Sequence, residues 1–167
     1  MERSDIYILC IEDEQEVLDA VVRDIEKLEE QFPIETANSA EEAREVIQKL
    51  LEDGKKIGLI LCDHILPGEN GVELLIELQK SDDTYPAKKV LLTGQAGLDD
   101  TVKALNEARL HHYIPKPWTR EELQKVAIDL LTDYVIEQEE NILPYMGTLD
   151  AEKISESIRT RRSVSDE

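Results

Sequence analysis

Ile6-Tyr7-Ile8-Leu9-Cys10-Ile11-Glu12-Asp13 decides the fold: six apolar residues without interruption, rich in β-branched types, ending on two acids. An unbroken apolar run of that length reads as a strand buried on both faces, which is the habit of parallel sheets. The next segment switches period. Val17, Leu18, Val21, Ile25 and Leu28 recur at helical spacing and stop near Phe32-Pro33. Ile34-Glu35-Thr36-Ala37 is a short, weak strand suited to a sheet edge. Ser39, with Glu42 three residues on, forms a capping box for a helix carrying Ala43, Val46, Ile47, Leu50 and Leu51, which ends around Gly54.

The cycle repeats three more times. Leu59 to Cys62 is a strand, followed by the Pro67-Gly68 turn and a helix over Val72 to Leu78. Lys89-Val90-Leu91-Leu92 is a strand, followed by a helix from about Leu98 to Ala108. Tyr113-Ile114 is a short last strand. A long helix then opens after the cap Thr119, with Glu122 in the third position. Five strand–helix repeats with right-handed crossovers make a doubly wound α/β sheet of five parallel strands. The flavodoxin-like order 2-1-3-4-5 is expected on the strength of the residues at the strand ends.

Composition narrows the function. Nineteen basic against 38 acidic side chains leave a net charge of −19, a field that repels nucleic-acid backbones. No apolar run approaches the roughly 20 residues that span a bilayer, and Met1 to Asp5 lacks the marks of a secretory signal. A cytoplasmic protein is expected. Cys10 and Cys62 lie inside apolar runs without metal-ligand spacing, so buried reduced thiols are expected.

In an open α/β sheet, chemistry collects at the carboxyl ends of the strands. Those ends carry Glu12-Asp13, Asp63, Thr93 and Lys116-Pro117. Grouped carboxylates repel one another and are costly to bury unpaired, so their convergence calls for a cation or a reaction. Hard oxygen ligands with open positions suit Mg²⁺. Lys116 offsets part of the remaining charge as a point donor. A carboxylate beside such an ion can attack phosphorus, and Asp63 lies centrally in the set.

Taken together, these residues resemble the receiver domains of two-component response regulators, the CheY-like superfamily. The acidic pair Glu12-Asp13, Asp63 after an apolar strand, Thr93-Gly94 and Lys116-Pro117 stand in the family's order. Pro67 and Gly71 follow Asp63 by four and eight residues, and Tyr113 precedes Lys116 by three. The resemblance spans about residues 5 to 131. It implies Asp63 as phosphoacceptor, with Mg²⁺ held by Glu12, Asp13, Asp63 and the backbone carbonyl of Ile65. It implies Thr93 and Lys116 on the phosphoryl oxygens, and a switch in which Thr93 moves and Tyr113 turns inward. The signal would leave through the surface of the fourth helix, fifth strand and fifth helix. The implied donor is the phosphohistidine of a sensor histidine kinase or phosphotransfer protein. The chain departs from the family's habit at Glu12, at Ile65 and at Gln95, and an apolar Ile65 would slow hydrolysis of the phosphoform.

Other readings stand beside this one. Ile65 occupies the place of the second Asp of small Mg²⁺-dependent phosphatases, which argues against turnover and for a signalling phosphoacceptor that is not an enzyme. An adaptor that is never phosphorylated is the third class. Each strand-end residue also has a plain structural reading: a helix start for Glu12-Asp13, a turn for Asp63 or Thr93-Gly94, static core for Tyr113. His64 reads as a solvent-facing loop side chain, and Trp118 as a lid at the loop base. Residues 1–135 are expected to form the receiver and 136–167 a C-terminal helical extension or linker. The apolar stripe running on to Tyr134 and Val135 makes a second copy a candidate partner, through that extended helix or the signalling surface. Ala151 to Arg162 is a further short helix, in a tail that either frays or docks. The chain is either a stand-alone receiver or the front module of a longer nucleotide-signalling or kinase protein.

Overall fold

The computed structural model of the chain describes residues 3–94, 103 and 106–165. Gln95 and most of the helix expected over Leu98 to Ala108 lie outside the described residues. The strands are β1 (Ile6–Ile11), β2 (Ile34–Ala37), β3 (Lys56–Asp63), β4 (Lys88–Thr93) and β5 (His112–Pro115). All pair in parallel, in the order β2-β1-β3-β4-β5. The expected topology is the observed one.

Side-chain alternation divides the core into two layers. Ile6, Ile8 and Cys10 of β1, Leu59 and Leu61 of β3, and Val90 and Leu92 of β4 face one side. There they meet Leu18 and Val21 of α1 (Gln15–Asp24) and Leu123, Ala127 and Leu131 of a long helix (Arg120–Gln138). Leu9, Ile11, Ile60, Cys62 and Leu91 face the other side. They pack on α2 (Ala40–Glu52) and α3 (Gly71–Gln79). Both thiols are buried, and burial pushes Cys10 up to about 12.

The caps form as the sequence indicates. Ser39 Oγ accepts from the Glu42 N–H at 3.1 Å, and Thr119 Oγ1 from the Glu122 N–H at 3.1 Å. The return bond of Glu42 differs in detail, reaching the Asn38 N–H rather than the cap residue's own. Gly54 takes φ +75°, the left-handed turn that closes α2.

Three departures matter. First, α1 does not run on to Phe32: it stops at Asp24 and tightens into a 3₁₀ turn, Glu26–Glu30. The Asp24 carbonyl accepts from Gln124 Nε2 at 2.9 Å instead of continuing the helix ladder. Second, Ile65–Leu66 and Glu69–Asn70 form a miniature antiparallel hairpin after β3. Third, the chain beyond the long helix packs rather than frays. Tyr145 stacks on Phe32 at 5.7 Å, and Gln31 Nε2 donates to the Pro144 carbonyl at 3.0 Å. The C-terminal helix (Ala151–Ser165) places Ile154 in the α1-side core together with Ile142 and Leu149. Arg161 closes the long helix by donating to the carbonyls of Ile136 and Glu140 at 2.5 and 2.9 Å. Tyr134 and Val135 are buried in the same core, which strand residues and the tail's Ile142, Leu149 and Ile154 share.

Candidate functional site

Strand register alone brings the polar residues to one edge. Ile11 pairs with Cys62, Asp63 with Leu92, and Thr93 with Pro115. Glu12 thus stands level with Asp63, and Lys116 comes directly after the last pair. The loop from Asp63 to α3 folds tightly over this edge. The Gly71 N–H donates to the His64 carbonyl at 2.7 Å, and a Cβ on Gly71 would lie 1.9 Å from the Asp63 carbonyl oxygen. Only glycine fits there.

One cation joins the acids. Lys116 Nζ lies 2.9 Å from Asp63 Oδ1 and 3.1 Å from Glu12 Oε2. Oxygens of Glu12, Asp13 and Asp63 come within 4.8 Å of one another. Glu12 is 1% exposed and Asp63 6%, while Asp13 is open to solvent. Burial holds the Glu12 carboxyl above its ordinary range; the Lys116 hydrogen bond pulls it back, and the Asp63 charge pushes it up again. For Lys116, burial works against the charged form, but the bonds to Asp63 and Glu12 outweigh it and raise the ammonium above its usual value. The cleft is built to hold positive charge.

The remaining residues named from the sequence fall into place around this cluster. Thr93 ends β4, buried, with Oγ1 3.4 Å from His64 Nδ1. Ile65 lies in the miniature hairpin with its side chain 66% exposed. Tyr113, on β5, is 47% exposed and stacks against His112 at 6.4 Å between centroids. Glu12, Asp13, Asp63 and Lys116 are thus brought together, Thr93 stands on the neighbouring strand end, and Tyr113 points outward.

Two expectations for neighbouring side chains need correction. His64 does not face solvent: it is 3% exposed, because the Gly71 contact folds its loop back onto Thr93. Trp118 is more than a lid. It is half-buried, and its indole N–H donates to Asp24 Oδ2 at 2.9 Å. Asp24 itself gave no sign in the sequence, since its partners lie 94 to 100 residues away.

The response regulator receiver domain family matches residues 8–128, most of the chain. The protein is a member of that family. It is similar to the hydrogenase transcriptional regulatory protein HoxA of Cupriavidus necator, with 32% identity over 117 residues, 70% of this chain and 22% of that one. The uncharacterized transcriptional regulatory protein YkoG of Bacillus subtilis is 32% identical over 117 residues, 70% of this chain and 47% of that one. The chain spans less than half the length of either relative. Among solved structures, a response regulator receiver domain protein (CheY-like) from Methanospirillum hungatei JF-1 superposes with TM-score 0.68 at 28% identity, covering 82% of this chain and 99% of that one. Among the described residues, no helix is long and apolar enough to cross a membrane.

Proposed function

We propose that Asp63 is the phosphoacceptor of this receiver, taking its phosphoryl group from a phosphohistidine on a sensor kinase or phosphotransfer protein. The observation that carries the reading is the Lys116 ammonium between Glu12 and Asp63 at 3.1 and 2.9 Å, beside the third carboxylate of Asp13. Three clustered hard-oxygen donors, one of them with its proton affinity raised by burial, fit a small divalent cation better than they fit one another. Glu12, Asp13, Asp63 and the Ile65 carbonyl would hold Mg²⁺, which when bound neutralises charge on the transferring oxygens.

An Asp63 carboxylate oxygen attacks phosphorus, the P–N bond to the donor imidazole breaks, and the imidazole leaves with that electron pair. Lys116 already touches Asp63 and is placed to bind an oxygen of the arriving group. Thr93 stands at the next strand end and contributes its hydroxyl. In the resting arrangement Tyr113 lies outside, so an inward turn would accompany the movement of Thr93. Reversing such an equilibrium from 1:99 to 99:1 takes about 5.5 kcal/mol of differential contact. The output is a changed surface on β5 and its flanking helices, read by a partner protein. Residues 1–135 carry this function, and 136–167 extend it.

The test is incubation with Mg²⁺ and acetyl phosphate, followed by intact-mass measurement. One phosphoryl adduct per chain, absent in Asp63→Asn, supports the proposal. Continuous release of inorganic phosphate over many turnovers would instead make the protein a phosphatase, and no adduct an unphosphorylated adaptor.

A further inference from the structure

Asp24 is a carboxylate in an unfavourable place. As the last residue of α1 it stands at the negative end of the helix dipole, where acids are disfavoured. It is also buried, with 8% of its surface exposed, and a buried carboxylate must be paired. Helix stability therefore does not explain it. Its partners do. Oδ2 accepts from Trp118 Nε1 at 2.9 Å, Oδ1 from Arg120 Nε at 3.3 Å, and Arg23 Nε stands 3.8 Å from Oδ1. The backbone carbonyl of the same residue accepts from Gln124 Nε2 at 2.9 Å.

Trp118 and Arg120 come two and four residues after Lys116, and the long helix begins at Arg120. The acceptors of Asp24 thus fix the loop from Lys116 to the start of that helix. Core packing of Trp118 and the Lys116 N–H bond to the Thr93 carbonyl hold the same segment from the other side. Beside Trp118, Pro117 and Lys116 lies a groove of about 570 Å³ whose other wall is Val17, Ala20 and Asp24 of α1. One face of the half-buried ring packs on the α1-side core, and on the open side the hydrogen bond to Asp24 sets the indole's orientation.

We propose that Asp24 is a positioning residue for Lys116: by gripping Trp118 and Arg120 it holds the Lys116 loop against α1 and keeps the ammonium between Glu12 and Asp63. The inference rests on the proposed role of Lys116 for its functional meaning, but its geometry stands apart from any phosphorylation. The two carboxylates that Lys116 serves sit on the ends of β1 and β3, fixed by strand pairing. The lysine follows directly on β5 with its own N–H on the Thr93 carbonyl at 2.8 Å, and Asp24 ties down the chain that leaves it, through Trp118 and Arg120.

The test uses the full chain without metal or phosphodonor. A brief pulse of acetic anhydride is followed by peptide mass mapping, with labelling of Lys116 referred to exposed Lys80 in the same molecule. In wild type, Lys116 is protected by its two carboxylates. Asp24→Ala is expected to raise its relative labelling about fivefold, the scale of one lost positioning hydrogen bond. Trp118→Phe keeps the ring and removes only the N–H donor, and is expected to move in the same direction. Asp24→Asn keeps an acceptor for the indole and is expected to restore most of the protection. A merely structural role would not show that rescue. Emission of Trp118, the single tryptophan, is expected to shift in Asp24→Ala. Wild-type protection of Lys116 in folded Asp24→Ala overturns the proposal. Should that variant not fold, Trp118→Phe decides by the same comparison. If wild type takes no phosphoryl group at Asp63, the receiver mechanism fails while the labelling result still decides Asp24. If phosphorylation stands and Lys116 labelling does not move, the positioning role alone fails.

Discussion

Gly71→Ala is the sharpest probe of how the site edge is built. An ideal Cβ at this position lies 1.9 Å from the Asp63 carbonyl oxygen and 3.1 Å from Cys62 Sγ, so the helix start must retreat by roughly 1.5 Å to reach ordinary contact. Retreat breaks the 2.7 Å bond from the Gly71 N–H to the His64 carbonyl. Leaving that buried carbonyl unsatisfied costs about 1 to 3 kcal/mol, and residual overpacking about 1 to 3 kcal/mol. Alanine returns about 0.5 to 1 kcal/mol through its better helix propensity. The net expectation is a loss of about 1 to 5.5 kcal/mol, read as a lower urea midpoint at unchanged slope. The same variant should take up phosphate from acetyl phosphate more slowly, because the Asp63 end of β3 shifts with the loop. A stability change below about 1 kcal/mol with unaltered phosphorylation would refute the idea that this close approach shapes the site.

Other contacts lead to further expected outcomes. In Lys116→Met, Glu12 and Asp63 face each other without their cation, so Mg²⁺ should bind more tightly and stabilise the variant more than wild type; equal affinity by calorimetric titration counts against a cleft organised around that charge. Lys89 is fully buried, held by Gln79 Oε1 and the Ala87 carbonyl at 2.8 and 2.9 Å, and burial, with the Lys88 charge adding, lowers its ammonium from 10.5 to about 8. Below pH 8 both folded and unfolded chains hold that proton. Between about 8 and 10.5 only the unfolded chain does, so stability relative to Lys89→Met should rise with pH across this window, and a flat or falling difference refutes it. Tyr145→Ala removes a ring stacked on Phe32 and should cost about 3 kcal/mol in chemical denaturation, whereas a loss under about 1 kcal/mol would make the C-terminal segment a loose appendage.

The periodic part of the sequence was legible because burial on both faces of a parallel sheet leaves continuous apolar runs. Ile6–Ile11 and Lys88–Thr93 are read within a residue of their ends for that reason. Glu12, Asp63, Thr93 and Lys116 were legible because each terminates such a run, and parallel pairing then aligns them. Contacts between distant segments were not legible. Nothing local marks Asp24 as the acceptor for Trp118, or its carbonyl, where α1 stops, as the acceptor for Gln124. His64 looked exposed because loop residues usually are; its burial results from Gly71 closing the loop, a consequence of one missing side chain. The tail showed a helix but not its dock, since Tyr145 and Ile154 match Phe32 and the α1-side core only in three dimensions.

The most direct measurement traps the acyl phosphate by borohydride reduction after treatment with Mg²⁺ and acetyl phosphate, and maps the modified residue by tandem mass spectrometry. Conversion confined to Asp63, and lost when Lys116 is replaced by Met, is the predicted result. Modification at His64 or Asp13, or an Asp63 signal indifferent to Lys116, would contradict a cleft in which that lysine and carboxylate act together.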